Sequence, residues 1–339
     1  MDEKHTENSI LGLARGFTKS RVFITAAELD LFTLLASDRL TAEQVSAAKN
    51  ANLHGMSILL DALTALGYFV KKDGCYQTEP SVVAFLSAKS PDSILPMVRY
   101  SIDLWKRWSK LTDIVLGHAE PEKENTDADE TLQTLVKAMH VVNCQKAPQV
   151  IKNINPGNAR KLLDVGGGAG TYTLAFLHEV PHLQATLFDF PSIVTIAQDY
   201  FQQAGMGERA RCVAGDYLND DLPEGYDIAL LSAVIHQHSS EENGILYNKV
   251  YQALNPGGRI VIRGFVMSEE KTEPREGAIF AVNMLTSSQG GKTYSFSEIK
   301  QDLEKAGFSN VGLINNDGFF SLVDAIKDPD QNNIGIPVF

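Results

Sequence analysis

Cysteine is scarce in this sequence, and no long apolar run occurs. The three cysteines among its 339 residues, Cys75, Cys144 and Cys212, lie far apart and form no closely spaced pair. Three such cysteines indicate neither a disulfide framework nor a zinc knuckle, and we expect the three thiols to be buried as small hydrophobic side chains. No apolar run reaches the roughly 18 residues that a membrane-spanning helix needs, so the sequence predicts no membrane partner.

Basic residues are also in the minority. The chain has 30 Lys and Arg residues against 42 Asp and Glu residues, which gives a net charge of −12. Nucleic-acid phosphates and anionic lipids bind surfaces with a surplus of basic charge, so we expect no nucleic acid as a partner. The first ten residues are polar and acidic, unlike a secretory signal. We therefore expect a cytoplasmic protein with a small-molecule or protein partner.

The N-terminal part of the chain has a helical pattern. Its apolar residues recur at three- and four-residue spacing, as in ITAAELDLFTLLAS and SILLDALTALGYF. Helix, turn and helix then lead into two short strand-like runs joined by Asp73-Gly74, a dipeptide suited to a tight hairpin turn. This order of elements predicts a winged-helix layout.

A winged helix often binds DNA, but this one lacks the necessary charge. Lys49 is the only Lys or Arg between Thr41 and Gly67, whereas a helix that reads DNA needs cationic side chains for the phosphates. The helices predicted within 11–35 and 57–66 present more apolar surface than one small domain needs. We therefore expect this part to pack against a second copy of the chain, forming a homodimer.

From Arg160 onward, strand-like runs alternate with helical ones. The strand-like runs are KLLDV, ATLFDF, ARCVAG, YDIALLSAVI and RIVIRGF. Such alternation is typical of a parallel sheet with helices on both faces. The sequence therefore predicts an α/β fold for this half of the chain.

A glycine-rich turn, LLDVGGGAGTYT, follows the first of these strands. Gly166, Gly168 and Gly170 can bring the backbone close to a ligand at the carboxyl edge of the sheet. Thr171 breaks the spacing of a dinucleotide site, and the Asp164 carboxylate would repel a pyrophosphate. A cationic ligand suits this acid, and S-adenosylmethionine carries both an ammonium and a sulfonium group.

Acidic residues also end the next two strands. Asp189 follows the second strand and can accept hydrogen bonds from two ribose hydroxyls. Asp216 follows the third and can accept from an adenine amino group, while Tyr217 offers a ring face to the adenine. A single such acid is often only a turn former, but three of them beside one glycine turn indicate a cofactor site.

Five motifs together resemble the class I methyltransferases: LLDVGGGAG, LFDFP, GDYL, LNPGGRIVI and EIKQDLEKAGF. The N-terminal part, with SRVFITAAELDLF and DLWKRWSKL, resembles the dimerisation domain of the caffeic-acid-type O-methyltransferases and their bacterial relatives. The resemblance spans nearly the whole chain. It implies a winged-helix dimerisation domain over 1–116, and a catalytic domain over 117–339 that binds S-adenosylmethionine as methyl donor. The catalytic domain would have a seven-stranded Rossmann-like sheet whose last two strands form an antiparallel edge.

The same resemblance implies further site residues. Ser232 lies where relatives contact the cofactor after the fourth strand, and Met139, Asn283 and Met284 fall where relatives line the acceptor pocket. Phe280 and Met284 lie in one segment, EGAIFAVNMLTSSQGGKTY, and their side chains suit an apolar or aromatic acceptor. Both residues are equally compatible with core packing.

His236 takes the place of the family's general base. The family's fourth strand ends in a segment like H-D-W-S-D-E, which places His236, Gln237 and His238 at the first three positions. Ser239 and Glu242 have capping-box spacing, so His236 should precede a helix N-terminus, where a neutral ring is favoured. With an ordinary pKa for His236, activity should fall as the pH drops through about 6.5.

The acids that support this base in relatives are missing, because Gln237, Gly264 and Thr293 occupy their places. Three explanations are compatible with this: an unusually acidic acceptor hydroxyl, a carbon or nitrogen acceptor, or cofactor binding without methyl transfer. A metabolite-sensing winged-helix regulator is the alternative from another class. We expect His238 to face solvent or to pack, and we expect no metal because no third ligand accompanies the two histidines.

Overall fold

The chain divides after Trp105 into two units, each with its own apolar core. The structure, a computed structural model, describes residues 5–121, 130–316 and 320–329. Within these ranges no helix is both long enough and apolar enough to cross a bilayer.

The first unit is mainly helical, with three short strands. Its helices are α1 (Glu7–Arg15), α2 (Phe17–Glu28), α3 (Leu31–Leu34), α4 (Ala42–Lys49), α5 (Leu53–Ala65), α6 (Pro80–Leu86) and α7 (Leu95–Trp108). Its strands are β1 (Leu40–Thr41), β2 (Phe69–Lys72) and β3 (Cys75–Thr78). Local side chains begin the helices: Thr41 and Gln44 form a capping box on α4, and Asn52 accepts the Gly55 N–H on α5 at 2.9 Å.

The hairpin predicted at Asp73-Gly74 is confirmed. Both residues have positive φ, 52° and 77°, as a type I′ turn requires. The strands β2 and β3 pair antiparallel, with Phe69 opposite Thr78, and β1 pairs with the other side of β3. Two helices followed by this small sheet make the winged-helix layout that the sequence predicts.

Aromatic side chains fill the core of the first unit, and other apolar side chains stay outside it. Phe32 is fully buried, and its ring packs against Phe23 with 5.4 Å between ring centres. In contrast, Leu13 is 82% exposed and Phe17 is 56% exposed, and α1 has no buried residue. The first unit therefore carries apolar surface that its own core does not use.

The second unit contains the predicted alternation of strands and helices. Its described helices are α8 (Leu111–Val115), α9 (Glu130–Asn143), α10 (Ala147–Ile154), α11 (Thr171–Glu179), α12 (Pro191–Gln203), α13 (Ser240–Ala253), α14 (Arg275–Ser287) and α15 (Phe296–Lys305), with a 3₁₀ helix at Ile235–Gln237. Its strands are β4 (Lys161–Val165), β5 (Gln184–Asp189), β6 (Ala210–Ala214), β7 (Tyr226–Ser232), β8 (Leu254–Gly264), β9 (Val266–Met267), β10 (Tyr294–Ser295), β11 (Phe308–Asn316) and β12 (Ser321–Lys327).

Seven of these strands form one sheet in the order β11-β12-β8-β7-β4-β5-β6. The strands β4 to β8 run parallel, and β12 runs antiparallel to both of its neighbours. Along β8 the side chains alternate between two cores: Ile260 and Ile262 join α13 and α15, while Val261 joins α10, α11 and α12. The predicted seven-stranded sheet with helices on both faces and an antiparallel edge is confirmed.

The prediction that all three cysteines are buried is wrong. Cys144 is exposed, and Cys75 and Cys212 are only partly buried. Cys144 lies in the polar turn between α9 and α10, beside the exposed Gln145 and Lys146, so no apolar layer covers it.

The position of Gly170, at the start of α11, should tolerate no side chain. A Cβ there would lie 2.4 Å from Phe201 Cε1, and the φ of 74° already disfavours a substituted residue. Gly205 is a matched control because its φ of 68° is similar but its surroundings are open. Gly205→Ala should cost about 1–2 kcal/mol of the free energy of unfolding, and Gly170→Ala should cost about 1–3 kcal/mol more. Urea unfolding of both variants tests this, and equal losses would contradict it.

Candidate functional site

The glycine turn, residues 166–170, joins β4 to α11 at the carboxyl edge of the sheet. The Gly166 N–H donates to the Phe188 carbonyl oxygen at 2.8 Å, and the Gly168 N–H donates to Asp189 Oδ2 at 2.8 Å. Both glycines have positive φ, 67° and 58°, which residues with a Cβ rarely adopt. The turn is therefore bonded to the end of β5, and two of the predicted cofactor residues, Gly168 and Asp189, are in direct contact.

Asp164 is the penultimate residue of β4, next to this turn, and is buried. Its Oδ2 accepts the Thr173 hydroxyl at 2.6 Å, whereas its Oδ1 has no hydrogen-bond partner in the described part of the chain. Burial raises the pKa of Asp164 to about 7; the Thr173 hydrogen bond opposes this shift, and the Asp189 charge adds to it. A buried acceptor without a partner fits a cationic donor supplied by a ligand.

Asp189 and Asp216 stand at the ends of β5 and β6, as predicted. Asp189 is only 8% exposed, and its Oδ1 accepts the Phe190 N–H at 2.8 Å. The Asp216 carboxylate accepts the Leu218 N–H at 2.9 Å and the Asn219 side chain at 2.7 Å. These local bonds fix the direction of both carboxylates, and a carboxylate oxygen can accept more than one hydrogen bond.

Tyr217 and His238 form a pair that the sequence did not predict. The Tyr217 hydroxyl lies 2.9 Å from His238 Nε2, and the two rings meet edge to face with 5.5 Å between centres. The Tyr217 ring also approaches the glycine turn, because a Cβ on Gly166 would lie 3.5 Å from Tyr217 Cε1. His238 is thus bound to another predicted site residue and does not simply face solvent.

His236 lies in the 3₁₀ helix that follows β7 and is 8% exposed. Its Nδ1 is buried and has no hydrogen-bond partner among the described residues, and its ring meets the Phe280 ring edge to face with 4.7 Å between centres. Burial lowers the pKa of His236 to about 3, and the nearby His238 adds to this shift. The ring is therefore neutral, but mainly because of burial and not because of the helix behind it. The ring therefore does not gain a proton near pH 6.5, as the ring of an ordinary histidine does.

The capping box that begins α13 is as predicted. The Ser239 side chain accepts the Glu242 N–H at 3.2 Å, and the Glu242 side chain accepts the Ser239 N–H at 2.8 Å. The segment just before it, residues 233–238, packs on the glycine turn, because a Cβ on Gly166 would lie 2.8 Å from Val234 Cγ2. The candidate base and the candidate cofactor turn are therefore neighbours.

No carboxylate is bonded to His236 Nδ1 among the described residues. The Gln237 side chain donates to the Ala233 carbonyl oxygen at 3.1 Å, Thr293 is buried, and Gly264 ends β8. No cluster of His, Cys, Asp and Glu that could hold a metal ion occurs in the described ranges either. His236 would therefore act without an orienting acid.

Three of the predicted acceptor residues share helix α14. Phe280 contacts His236 and also packs against Phe265 at 5.0 Å. Asn283, one turn further on, accepts a hydrogen bond from Trp108 Nε1 at 3.0 Å, and Met284 is buried. The structure thus brings Phe280 next to the candidate base and connects Asn283 to Trp108.

Met139 lies on another helix, α9, and is 37% exposed. The neighbouring His140 contacts Thr171 Oγ1 at 2.9 Å through Nδ1, and a Cβ on Gly168 would lie 3.6 Å from Val136 Cγ1. The described contacts of α9 run to the glycine turn, to the start of α11 and to α12, where the His140 and Tyr200 rings lie 4.1 Å apart. None of them joins Met139 to α14.

A buried arginine, Arg263, lies near the end of β8, where sequence reasoning assigned it no role. Its guanidinium lies over the rings of Tyr172 at 4.8 Å and Phe320 at 4.3 Å, and its Nη1 donates to Ser232 Oγ at 3.5 Å. Ser232 and Arg263 are opposite each other in the pairing of β7 with β8. The only available signal was a charged residue inside the otherwise apolar run of β8.

Comparison with known proteins identifies the class. Residues 112–309 match the O-methyltransferase domain, and residues 11–88 match the O-methyltransferase dimerisation domain. Because the first match covers more than half of the chain, this protein belongs to the O-methyltransferase family. It is a methyltransferase that carries a dimerisation domain, and S-adenosylmethionine is its cofactor.

Relatives with similar sequences align along most of the chain. The 3-hydroxy-5-methyl-1-naphthoate 3-O-methyltransferase of Streptomyces sahachiroi is 28% identical, with 89% of each chain covered. The tetracenomycin polyketide synthesis 8-O-methyl transferase TcmO of Streptomyces glaucescens is 27% identical, covering 96% of this chain and 95% of its own. The solved structure of PigF with S-adenosylhomocysteine is 26% identical, covers 95% and 100% of the two chains, and has a TM-score of 0.84.

The geometry of the site suits this cofactor. The unpartnered Oδ1 of Asp164 is a buried acceptor for an ammonium group. A pyrophosphate would bring negative charge against the same carboxylate. The residues present therefore fit S-adenosylmethionine better than a dinucleotide.

Cofactor binding should depend on pH through Asp164. Its pKa is about 7 in the ligand-free protein, and an ammonium group favours the ionised form. The affinity for S-adenosylhomocysteine should therefore rise as the pH increases towards 7, by roughly tenfold per pH unit, and then level off. Calorimetry between pH 5.5 and 8 measures this change. Asp164→Asn should bind more weakly and with little pH dependence, whereas a flat wild-type profile would contradict the assignment.

Proposed function

We propose that this methyltransferase acts on a hydroxyl of a small aromatic or polyketide-like metabolite, with His236 as the base. The observation that carries the proposal is the buried His236 ring, which has an unpartnered Nδ1 and a face-to-edge contact with Phe280. The two Streptomyces relatives support the acceptor class, since their names describe a naphthoate hydroxyl and polyketide synthesis. Membership of an O-methyltransferase family favours oxygen over the carbon, nitrogen, non-methylating and regulatory alternatives.

The proposed cofactor contacts follow the carboxyl edge of the sheet. Asp164 would accept from the ammonium group, and Asp189 would accept from the ribose hydroxyls. Asp216 and Tyr217 would hold the adenine, and Ser232 would lie beside the methionine part. The glycine turn supports these contacts because its Gly166 and Gly168 N–H groups are already bonded to β5.

The reaction needs one proton transfer and one methyl transfer. S-adenosylmethionine supplies an electrophilic methyl group whose bonding electrons return to sulfur. The neutral His236 ring accepts the hydroxyl proton, so that the acceptor oxygen gains the electron pair with which it bonds the methyl carbon. The packed rings of Phe280 and Phe265 give the acceptor an apolar surface beside His236. Because no carboxylate supports His236, much of the rate would come from alignment of acceptor and methyl group.

Asn283 would help to orient the acceptor. The Trp108 indole nitrogen can only donate, so the amide atom that faces it is Oδ1, and the Nδ2 group points the other way. Among the described residues this Nδ2 donates no hydrogen bond, and Asn283 lies one helical turn from Phe280. We therefore assign Asn283 as a hydrogen-bond donor to an oxygen of the acceptor.

Loss of the His236 ring should slow the reaction but leave the cofactor site intact. At a pH below the pKa of the acceptor hydroxyl, His236→Ala should lower kcat by about 10²-fold or more, because no other base replaces the ring. The dissociation constant for S-adenosylhomocysteine should not change. His178→Ala, at an exposed histidine on α11, is the control. Product formation is followed by mass spectrometry, and a wild-type rate in His236→Ala would refute the base assignment.

The same experiment has a pH component. Since the pKa of His236 is about 3, this ring should cause no inflection in kcat between pH 5 and 8 at saturating cofactor. The defect of His236→Ala should shrink as the pH rises past the pKa of the acceptor hydroxyl, because the acceptor then loses its proton without help.

We also propose that the dimerisation domain joins two copies of this chain through the first unit. The apolar side chains Leu13, Phe17 and Ile58 are 82%, 56% and 57% exposed, an arrangement that a second subunit would cover. The first unit offers little support for a DNA contact, because Lys49 is the only Lys or Arg between Thr41 and Gly67. A cytoplasmic location stays a prediction.

Light scattering should therefore give twice the chain mass of 37.1 kDa at micromolar concentration. Leu13→Glu combined with Ile58→Glu should shift the protein towards the monomer, because each change would bury a charge in the interface. Ile245→Glu, at a 50% exposed position on α13 in the second unit, is the matched control. A wild-type monomer would overturn the proposal.

A further inference from the structure

His238 is bonded on two sides in the segment that leads from β7 to α13. Its side chain meets the Tyr217 hydroxyl at 2.9 Å through Nε2. Its backbone carbonyl oxygen accepts the Tyr294 hydroxyl at 2.5 Å. The main chain at this position is therefore held while the ring is directed towards Tyr217.

The direction of the Tyr217–His238 hydrogen bond follows from the chemistry of both groups. Burial raises the pKa of Tyr217, so its hydroxyl keeps its proton and donates. Burial lowers the pKa of His238, so its ring is neutral and Nε2 accepts. The ring proton of His238 then lies on Nδ1, which faces Glu242 Oε2 at 4.0 Å.

Glu242 links this pair to the start of α13. The same oxygen, Oε2, accepts the Ser239 N–H at 2.8 Å as part of the capping box. Tyr217 and His238 are hydrogen-bonded, and Glu242 lies beside His238 at 4.0 Å, beyond hydrogen-bond distance. We call these three side chains the Tyr217 clamp.

The clamp acts on a ring that has little other polar support. Tyr217 packs on the glycine turn, with Cε1 3.5 Å from the position of a Cβ on Gly166. Rotation about the side-chain bonds of Tyr217 would move the ring away from the turn, and the hydrogen bond to His238 resists that rotation. Packing of the buried Tyr217 ring in the apolar core and its hydrogen bond to His238 therefore together set the orientation of the ring face.

We propose that His238 is a positioning residue for the cofactor: it holds the Tyr217 ring in the orientation that receives the adenine. The inference rests on the proposed assignment of Tyr217 to the adenine end of the site. The second histidine of the sequence SAVIHQHSSEEN, His238, thus has a role of its own that differs from the role of His236.

Calorimetry with two ligands tests the proposal. S-adenosylhomocysteine carries adenine, and S-ribosylhomocysteine is the same molecule with a hydroxyl in place of the adenine. Tyr217→Phe removes the donor, and His238→Phe removes the acceptor but keeps a ring. Each change should weaken S-adenosylhomocysteine binding by about five- to tenfold, the usual effect of one hydrogen bond. Neither change should alter the affinity for S-ribosylhomocysteine.

The double variant and a conservative variant complete the test. Tyr217→Phe with His238→Phe should bind S-adenosylhomocysteine no more weakly than either single variant, because all three lack the same bond. His238→Gln, which offers an amide oxygen as acceptor, should recover most of the affinity. Tyr251→Phe, away from the site, should behave like the wild type. Thermal unfolding checks that every variant is folded.

The outcomes separate this inference from the proposed function. Additive losses in the double variant would mean that His238 acts independently of Tyr217. Equal weakening of the binding of both ligands would mean that His238 only maintains the fold. Either result would overturn the inference. Unchanged S-adenosylhomocysteine binding in all variants would overturn it as well. If the wild-type protein bound the two ligands equally well, no residue would recognise adenine, and the assignments of Asp216 and Tyr217 would fail together.

Discussion

The connection between the glycine turn and β5 is the constraint on which the site depends. Two backbone N–H groups, those of Gly166 and Gly168, donate to the end of β5, one to a carbonyl oxygen and one to the Asp189 carboxylate. In these bonds both glycines have positive φ. Position 166 also has no room for a Cβ, because a Cβ there would lie too close to Val234. The same geometry brings the turn, the second acid and the segment of the candidate base within contact of one another.

Local signals in the sequence predicted much of this architecture. The period of apolar residues located the strands and helices, Asp73-Gly74 located the wing, and the Ser239–Glu242 spacing located the start of α13, because each depends on neighbouring residues alone. What the sequence could not supply was long-range packing. The Tyr217–His238 bond joins residues from different loops, and the burial of His236 depends on the Phe280 ring of α14. Arg263 could not be placed between two rings from its position in β8.

Burial shapes the ionisable groups of the site in opposite directions. It raises the pKa of Asp164 to about 7 and lowers the pKa of His236 to about 3, so between these values both groups are uncharged in the ligand-free protein. The site therefore avoids the cost of an isolated buried charge until a ligand arrives. The low pKa also makes His236 a weak base. A weak base favours acceptors with acidic hydroxyls. That is one of the explanations left open by Gln237, Gly264 and Thr293, which stand where relatives have acids.

The antiparallel strand β12 has a consequence for the order of assembly during synthesis. It is the last strand of the described chain, yet it lies inside the sheet, between β8 and β11. A nascent chain that has emerged only as far as β8 can pair β4 to β8 but leaves the hydrogen-bonding edge of β8 open to other chains. β11 has no β12 to pair with until residues 321–327 have been made. The ribosome must therefore make residues 321–327 before the sheet can close.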